Sequence, residues 1–106
     1  MSTEAFIRRS FTVDGQAATC RFFQPIEEST GEFSCRYEIE GSEGVSSKHA
    51  YGVDEVQALL LAMQRAHIDL LAARENHGRD VSWLGERSLG LPIPDSIRDW
   101  DPENRL

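Results

Sequence analysis

Apolar and polar residues alternate over residues 5–51, and this alternation predicts β-strands. In "FTVDGQAAT" the dipeptide Asp14-Gly15 separates two alternating runs. Asp-Gly is a strong hairpin signal because a type I′ turn requires positive φ at both central positions. With these two residues as the turn, Ile7 lies opposite Phe22, and both point to the face that we expect to be buried.

Two later runs extend this predicted sheet. "FSCRYEIE" alternates cleanly after the turn in "PIEESTGEF", and its inward positions are Phe33, Cys35, Tyr37 and Ile39. The glycines of "EGSEG" indicate a third turn, and "VSSKHAY" is a weaker fourth strand. The pattern predicts an antiparallel meander of three to four strands.

The periodicity then changes to that of a helix over residues 54–77. Asp54 is a good N-cap, and Gln57 completes a capping-box pattern. Gly78 can end the helix in a left-handed conformation. The apolar stripe that we expect to face the sheet contains Val56, Leu59, Leu60, Met63, His67, Leu70 and Leu71.

The segment after the helix is apolar but irregular. Glycines and prolines interrupt residues 81–94, so a regular helix is excluded. We expect an extended arm that packs along the helix flank through Trp83, Leu84, Leu89, Leu91 and Ile93. Residues 95–106 are polar and are expected to fray. The fold class is therefore α+β: the meander, one long amphipathic helix packed on it, and an irregular C-terminal arm.

Size and charge narrow the range of functions. A chain of 106 residues forms one domain, residues 1–106. The net charge of −7 disfavours nucleic acids and anionic membranes as partners and suits a basic protein. The apolar run 58–63 is too short to span a bilayer. Two cysteines without an export signal indicate reduced thiols and a cytoplasmic protein.

The run "YGVDEVQALLLAMQ", followed by "WLG" and "LGLP", carries a resemblance to a known family. Over residues 51–94 the chain is similar to short, acidic bacterial hypothetical proteins known only as a domain of unknown function. The resemblance implies a bacterial cytoplasmic origin and no assigned activity. It supplies no site residue.

His67 is the first candidate for chemistry because it falls on the apolar stripe. We interpret it as a core-edge histidine, since catalysis requires further groups beside it. The alternative is a pocket between sheet and helix formed by His67, Tyr37 and Cys35. The histidine and cysteine spacings fit no metal motif, and no cofactor-binding or nucleophile motif occurs, so we expect no cofactor.

Three arginines and two phenylalanines form a candidate interaction face on the outer side of the sheet: Arg8, Arg21, Arg36, Phe6 and Phe23. The first hairpin places Arg8 opposite Arg21. A four-residue second turn would add Arg36 to this row, where an acidic partner would relieve the repulsion. A shift of two residues instead pairs Arg21 with Glu38, and this is the register that we favour.

Three functions follow from these features. The first is a non-catalytic protein–protein interaction module, for which Ala58, Ala62, Ala66 and Ala73 would permit a homodimer through the helix. The second is an immunity or inhibitor protein that neutralises a basic toxin. The third is a small-ligand binder or enzyme that uses the pocket near His67.

Overall fold

The computed structural model describes residues 5–104. Its sheet contains β1 (Ile7–Val13), β2 (Gln16–Phe22), β3 (Ile26–Glu27), β4 (Phe33–Gly41), β5 (Gly44–Gly52) and β6 (Val81–Ser82). One helix, α1 (Glu55–His77), packs on the sheet, and a 3₁₀ helix spans Asp95–Trp100. The α+β class is confirmed.

All strand pairs in the sheet are antiparallel, and the strand count is six rather than the predicted three to four. The four long strands lie in the order β5-β4-β2-β1. β3 pairs with β4, and β6 adds to the edge of β1. Each of these two additional strands has only two residues, which is too short to produce an alternating sequence pattern.

The first hairpin has the predicted register, with Ile7 opposite Phe22. Its turn residues Asp14 and Gly15 have φ values of 52° and 78°, as a type I′ turn requires. In the next pairing, β2 with β4, Arg21 lies opposite Glu38. The register that we favoured is therefore the observed one, and a row of three opposed arginines does not form.

Helix α1 begins and ends at the predicted residues. The Asp54 carboxylate accepts a hydrogen bond from the Gln57 backbone N–H at 2.8 Å, and the Gln57 side chain accepts one from the Val53 N–H. Gly78 ends the helix with a φ of 63°. The caps therefore fix both ends of the helix.

The buried face of α1 includes His67, Leu70 and Leu71 of the predicted stripe but differs from the stripe in the first half of the helix. Ala58, Ala62 and Ala66 are fully buried, whereas the exposed fractions of Val56 and Leu60 are 75% and 42%. The reason is a close approach at Gly52, where an added Cβ would lie 2.5 Å from the Ala58 nitrogen. Only small side chains fit beneath a helix that close to the sheet, so these alanines belong to the core and are not free to form a helix–helix dimer contact.

The C-terminal arm follows the helix flank as predicted. Leu89, Leu91 and Ile93 are buried, but the predicted contact of Leu84 is wrong because this side chain is 82% exposed. Leu84 has a φ of 53°, in the left-handed region, and lies in the short turn closed by pairing of Trp83 with Glu86. The turn directs its side chain into solvent.

Residues 95–104 also pack against the molecule, although the sequence predicted fraying over 95–106. Asp101 is buried, with 3% of its surface exposed. The Asn104 side chain accepts a hydrogen bond from the Gly90 N–H at 3.2 Å and donates one to the Leu91 carbonyl at 3.1 Å. Polar side chains, rather than apolar ones, hold this segment. Residues 105 and 106 of the predicted tail lie outside the described residues.

Candidate functional site

His67 is fully buried, and both of its ring nitrogens face acceptors. Nδ1 lies 3.0 Å from the Pro92 carbonyl oxygen, and Nε2 lies 3.0 Å from Oδ2 of Asp101. The histidine therefore joins the arm and the C-terminal segment to helix α1. Both contacts lie inside the protein, which is the arrangement expected of a core histidine.

Arg74 lies on the same side of α1 and completes this buried polar group. Its Nη2 donates to the carbonyls of Val81 and Arg87 at 2.6 and 2.9 Å, and its Nη1 lies 3.8 Å from Oδ1 of Asp101. Burial lowers the pKa of Arg74. Its Nε is buried without a hydrogen-bond partner among the described residues. The Asp101 carboxylate thus supplies the negative charge next to the Arg74 guanidinium, whose other partners are neutral carbonyls.

The predicted pocket of His67, Tyr37 and Cys35 is not assembled. The Tyr37 hydroxyl donates to Oδ2 of Asp69 at 2.7 Å, and the Cys35 thiol donates to the Phe23 carbonyl at 3.2 Å. All three predicted residues are buried and have separate partners. Burial, followed by the hydrogen bond to Asp69, raises the pKa of Tyr37. These groups are used within the core.

The two cysteines are buried thiols that do not lie near each other. Ile39 is opposite Cys20, and Cys35 lies four residues further along β4, a separation of about 13 Å. Burial raises the pKa of Cys20 to about 12 and that of Cys35 to about 11. Within the part of the chain that the structure describes, no group of three His, Cys, Asp or Glu side chains is placed to hold a metal ion.

The arginines of the predicted outer face are mostly paired. Arg21 contacts Glu40 at 2.7 Å and Glu38 at 3.4 Å, and the hydrogen bond to Glu40 is the largest cause of its raised pKa. Arg36 covers the ring of Phe23 at 3.9 Å, so Phe23 is buried. Of the five predicted residues, Arg8 and Phe6 remain exposed. The predicted face is therefore not a continuous arginine surface.

A cleft of about 670 Å³ lies at the end of the sheet where β1 and β4 end and β2 and β5 begin, beside the C-terminal half of α1. Lys48 and Arg79 line it, together with an apolar floor that includes Ile39 and Leu70. Lys48 is already paired with Asp69 at 3.2 Å, and Arg79 is paired with Asp14 and Glu43. These cations are neutralised within the protein, so the cleft offers a ligand little charge for recognition.

Exposed apolar side chains gather at the opposite end of the sheet. Ten large apolar residues are exposed among those described, and seven of them lie where β1 and β4 begin, β2 and β5 end, and α1 starts. We call these seven the apolar end: Phe6, Ile7, Ile26, Tyr51, Val53, Val56 and Leu60. By strand alternation Phe6 and Tyr51 lie on the outer face of the sheet and Ile7 on the face that carries α1, so the apolar end extends around the end of the sheet.

A notch of about 310 Å³ opens beside Ile7 of the apolar end. Ile7 and Met63 form two of its sides, and Leu91 with Pro92 forms the wall contributed by the arm. The Pro92 carbonyl is bound by His67, and Arg9 holds the Leu89 and Gly90 carbonyls at 3.1 and 2.8 Å. The buried polar group thus positions one wall of the notch.

Sequence reasoning missed the apolar end and Asp101. Val56 and Leu60 were assigned to the core because they share helical spacing with buried residues. Nothing in the tail marks Asp101 as a buried acceptor, since acidic residues in polar segments are usually solvated.

The fold is that of a small α+β domain with exposed apolar side chains at one end of its sheet. Residues 7–93 match the family model described as Domain of unknown function (DUF6968), and the chain belongs to this family. No curated protein and no solved structure matches the chain. Within the described residues, no helix combines the length and the apolar character that crossing a membrane requires.

Proposed function

We propose that the protein is a non-catalytic protein–protein interaction module of the bacterial cytoplasm and that it binds its partner through the apolar end. The observation that carries this proposal is that seven of the ten exposed large apolar side chains among the described residues lie at one end of the sheet and the start of α1, with Ile7 also lining a notch. Exposed apolar surface of this kind is stabilised when a partner removes it from water.

The polar groups of the domain support a binding role over a catalytic one. His67, Tyr37 and Cys35 are buried, and each has a partner inside the protein. A catalytic site needs such groups to converge where a substrate can reach them. The notch is instead lined mainly by apolar side chains, which is the composition expected for an interface anchor.

The test is affinity capture from cells that express the protein naturally, with quantification of the recovered proteins by mass spectrometry. The wild type is compared with Val56→Asp/Leu60→Asp, which places two charges in the apolar end. The matched control is Val45→Asp/Leu84→Asp, which changes two exposed apolar residues elsewhere. Circular dichroism checks that both variants are folded.

We expect a reproducible partner that the wild type and the control retain and that the apolar-end variant loses. A loss of at least about tenfold corresponds to roughly 1.4 kcal/mol, a modest effect for charge placed in a buried interface. Equal recovery by all three folded proteins would refute the proposal.

A further inference from the structure

Acidic residues border the apolar end on one side. Glu27 follows Ile26 in β3, Glu32 precedes β4, and Asp54 and Glu55 lie between Val53 and Val56. All four are exposed. We call these four residues the acidic flank. It lies beside the first turn of α1 and the corner where β3 meets β4.

Two arginines, Arg8 and Arg9, line the notch, and no residue of the acidic flank does. Arg9 lines the notch, but its guanidinium is bound to two carbonyls and lies 3.9 Å from the Trp83 ring centroid. Arg8 is exposed at the β1 side of the notch and lies opposite Arg21 in the sheet. Arg65 is exposed on α1, two residues after Met63, and the acidic flank adds four exposed acids to a protein whose net charge is −7.

We propose that the partner is a basic protein that packs apolar side chains on the apolar end and places lysine or arginine side chains against the acidic flank. This rests on the proposed function of the apolar end. Apolar contact at the centre and opposite charges at the rim are the usual division of roles in an interface. The rim charges accelerate association and select against partners of the wrong charge.

The same charges disfavour a second copy of this chain as the occupant. In a two-fold dimer formed through the apolar end, each copy contributes the same surface, so two acidic flanks enter one interface. Like charges brought together in an interface oppose association. A basic partner instead gains from the same residues, and for this reason we commit to it.

The test uses three helical peptides of defined composition with the same leucine positions. Their remaining positions are lysine, glutamine or glutamate. Binding to the full-length protein is measured by fluorescence anisotropy at about 50 and 300 mM salt, where screening differs strongly. Sedimentation velocity of the protein alone, at both salt concentrations, reports self-association.

Two charge variants distinguish the effect of the acidic flank on peptide binding from the effect of the protein's overall charge. Glu27→Lys/Glu32→Lys/Glu55→Lys reverses the flank and leaves the Asp54 cap intact. Glu43→Lys/Glu75→Lys/Asp80→Lys makes the same change in net charge away from the apolar end. Val56→Asp/Leu60→Asp again tests the apolar contact.

We expect the lysine peptide to bind at least about tenfold more tightly than the glutamine peptide at low salt, with the preference reduced at high salt. The flank variant loses this preference and the matched charge variant keeps it. The apolar-end variant weakens binding of both peptides.

The basic partner and the proposed function are refuted by different results. If the flank variant keeps the full preference, or if both charge variants lose it equally, the acidic flank is not the recognition element and the basic partner is refuted. If the apolar-end variant binds as the wild type does, the proposed function fails. A salt-strengthened dimer that is lost in the apolar-end variant would replace the basic partner with a second copy.

Discussion

Removal of the Asp101 carboxylate tests the account of the buried polar group. In Asp101→Ala, Nε2 of His67 loses its acceptor and Arg74 loses its buried counter-charge. The side chains of these two residues are 0% and 6% exposed, so water does not replace the carboxylate without rearrangement. Removal of one member of a buried ion pair costs about 3–5 kcal/mol, and domains of this size have a total stability of about 5–15 kcal/mol.

The assay is urea denaturation at pH 7 followed by circular dichroism, together with a thermal melt. We expect the Asp101→Ala melting temperature to fall by about 12 °C or more, because each kcal/mol corresponds to about 4–8 °C. Asp101→Asn should lose roughly half as much, since the amide oxygen can still accept from His67. Asp99→Ala, at an exposed position, should change stability by less than about 0.5 kcal/mol.

A loss below about 1 kcal/mol in Asp101→Ala would refute the reasoning, because it would mean that the carboxylate stabilises neither neighbour. A double-mutant cycle with His67→Ala separates the direct contact from general loosening of the segment. We expect a coupling energy within about 0.5–3 kcal/mol, the range typical of residues in one polar network.

Two further predictions concern the sheet. Gly52→Ala should destabilise the domain by about 2 kcal/mol or more in urea denaturation, because the new Cβ meets the helix backbone. The control Gly41→Ala, whose Cβ would lie 3.9 Å from its nearest neighbour, should be neutral or slightly stabilising. Equal effects of the two substitutions would contradict the close approach of helix and sheet. Both buried thiols are protonated in folded and unfolded chains below pH ~8.5, but above it the unfolded chain ionises first. Stability should therefore fall as pH rises from there towards the folded pKa values of about 11 and about 12 for Cys35 and Cys20, and serine at both positions should flatten this decline.

The elements were predictable where local chemistry determines them. Asp14-Gly15 fixed the first register because few turns suit that dipeptide, and the caps Asp54 and Gly78 fixed the ends of α1. The choice between Arg36 and Glu38 as the neighbour of Arg21 rested on charge, and the favoured ion pair is the observed one.

The rotation of α1 was not predictable from apolar spacing. Leucine is more apolar than alanine, so Val56 and Leu60 were placed in the stripe, but the close approach of Gly52 to the backbone at Ala58 leaves room only for a small side chain in this part of the helix. Periodicity reports which side of a helix is apolar, whereas steric fit decides which part of that side is innermost. The exposed leucine and valine of the apolar end follow from this difference.

Polar contacts between residues far apart in the chain were also not predictable from the sequence. Asp101 reaches a helix residue 34 positions earlier in the chain. Its neighbours are polar, so no pattern distinguishes it from a solvated acid. The same holds for Asp69, whose contacts with Tyr37 and Lys48 depend on the relative placement of helix and sheet.

The position of Asp101 has a practical consequence for work on this family. The region matched by the family model ends at residue 93, yet the carboxylate that neutralises Arg74 and accepts from His67 comes from beyond that boundary. A recombinant fragment trimmed to residues 7–93 would leave the buried Arg74 without its counter-charge and would remove the Asn104 contacts with Gly90 and Leu91. Expression boundaries for biochemical work should therefore extend at least through Asn104, which anchors the arm beside Gly90.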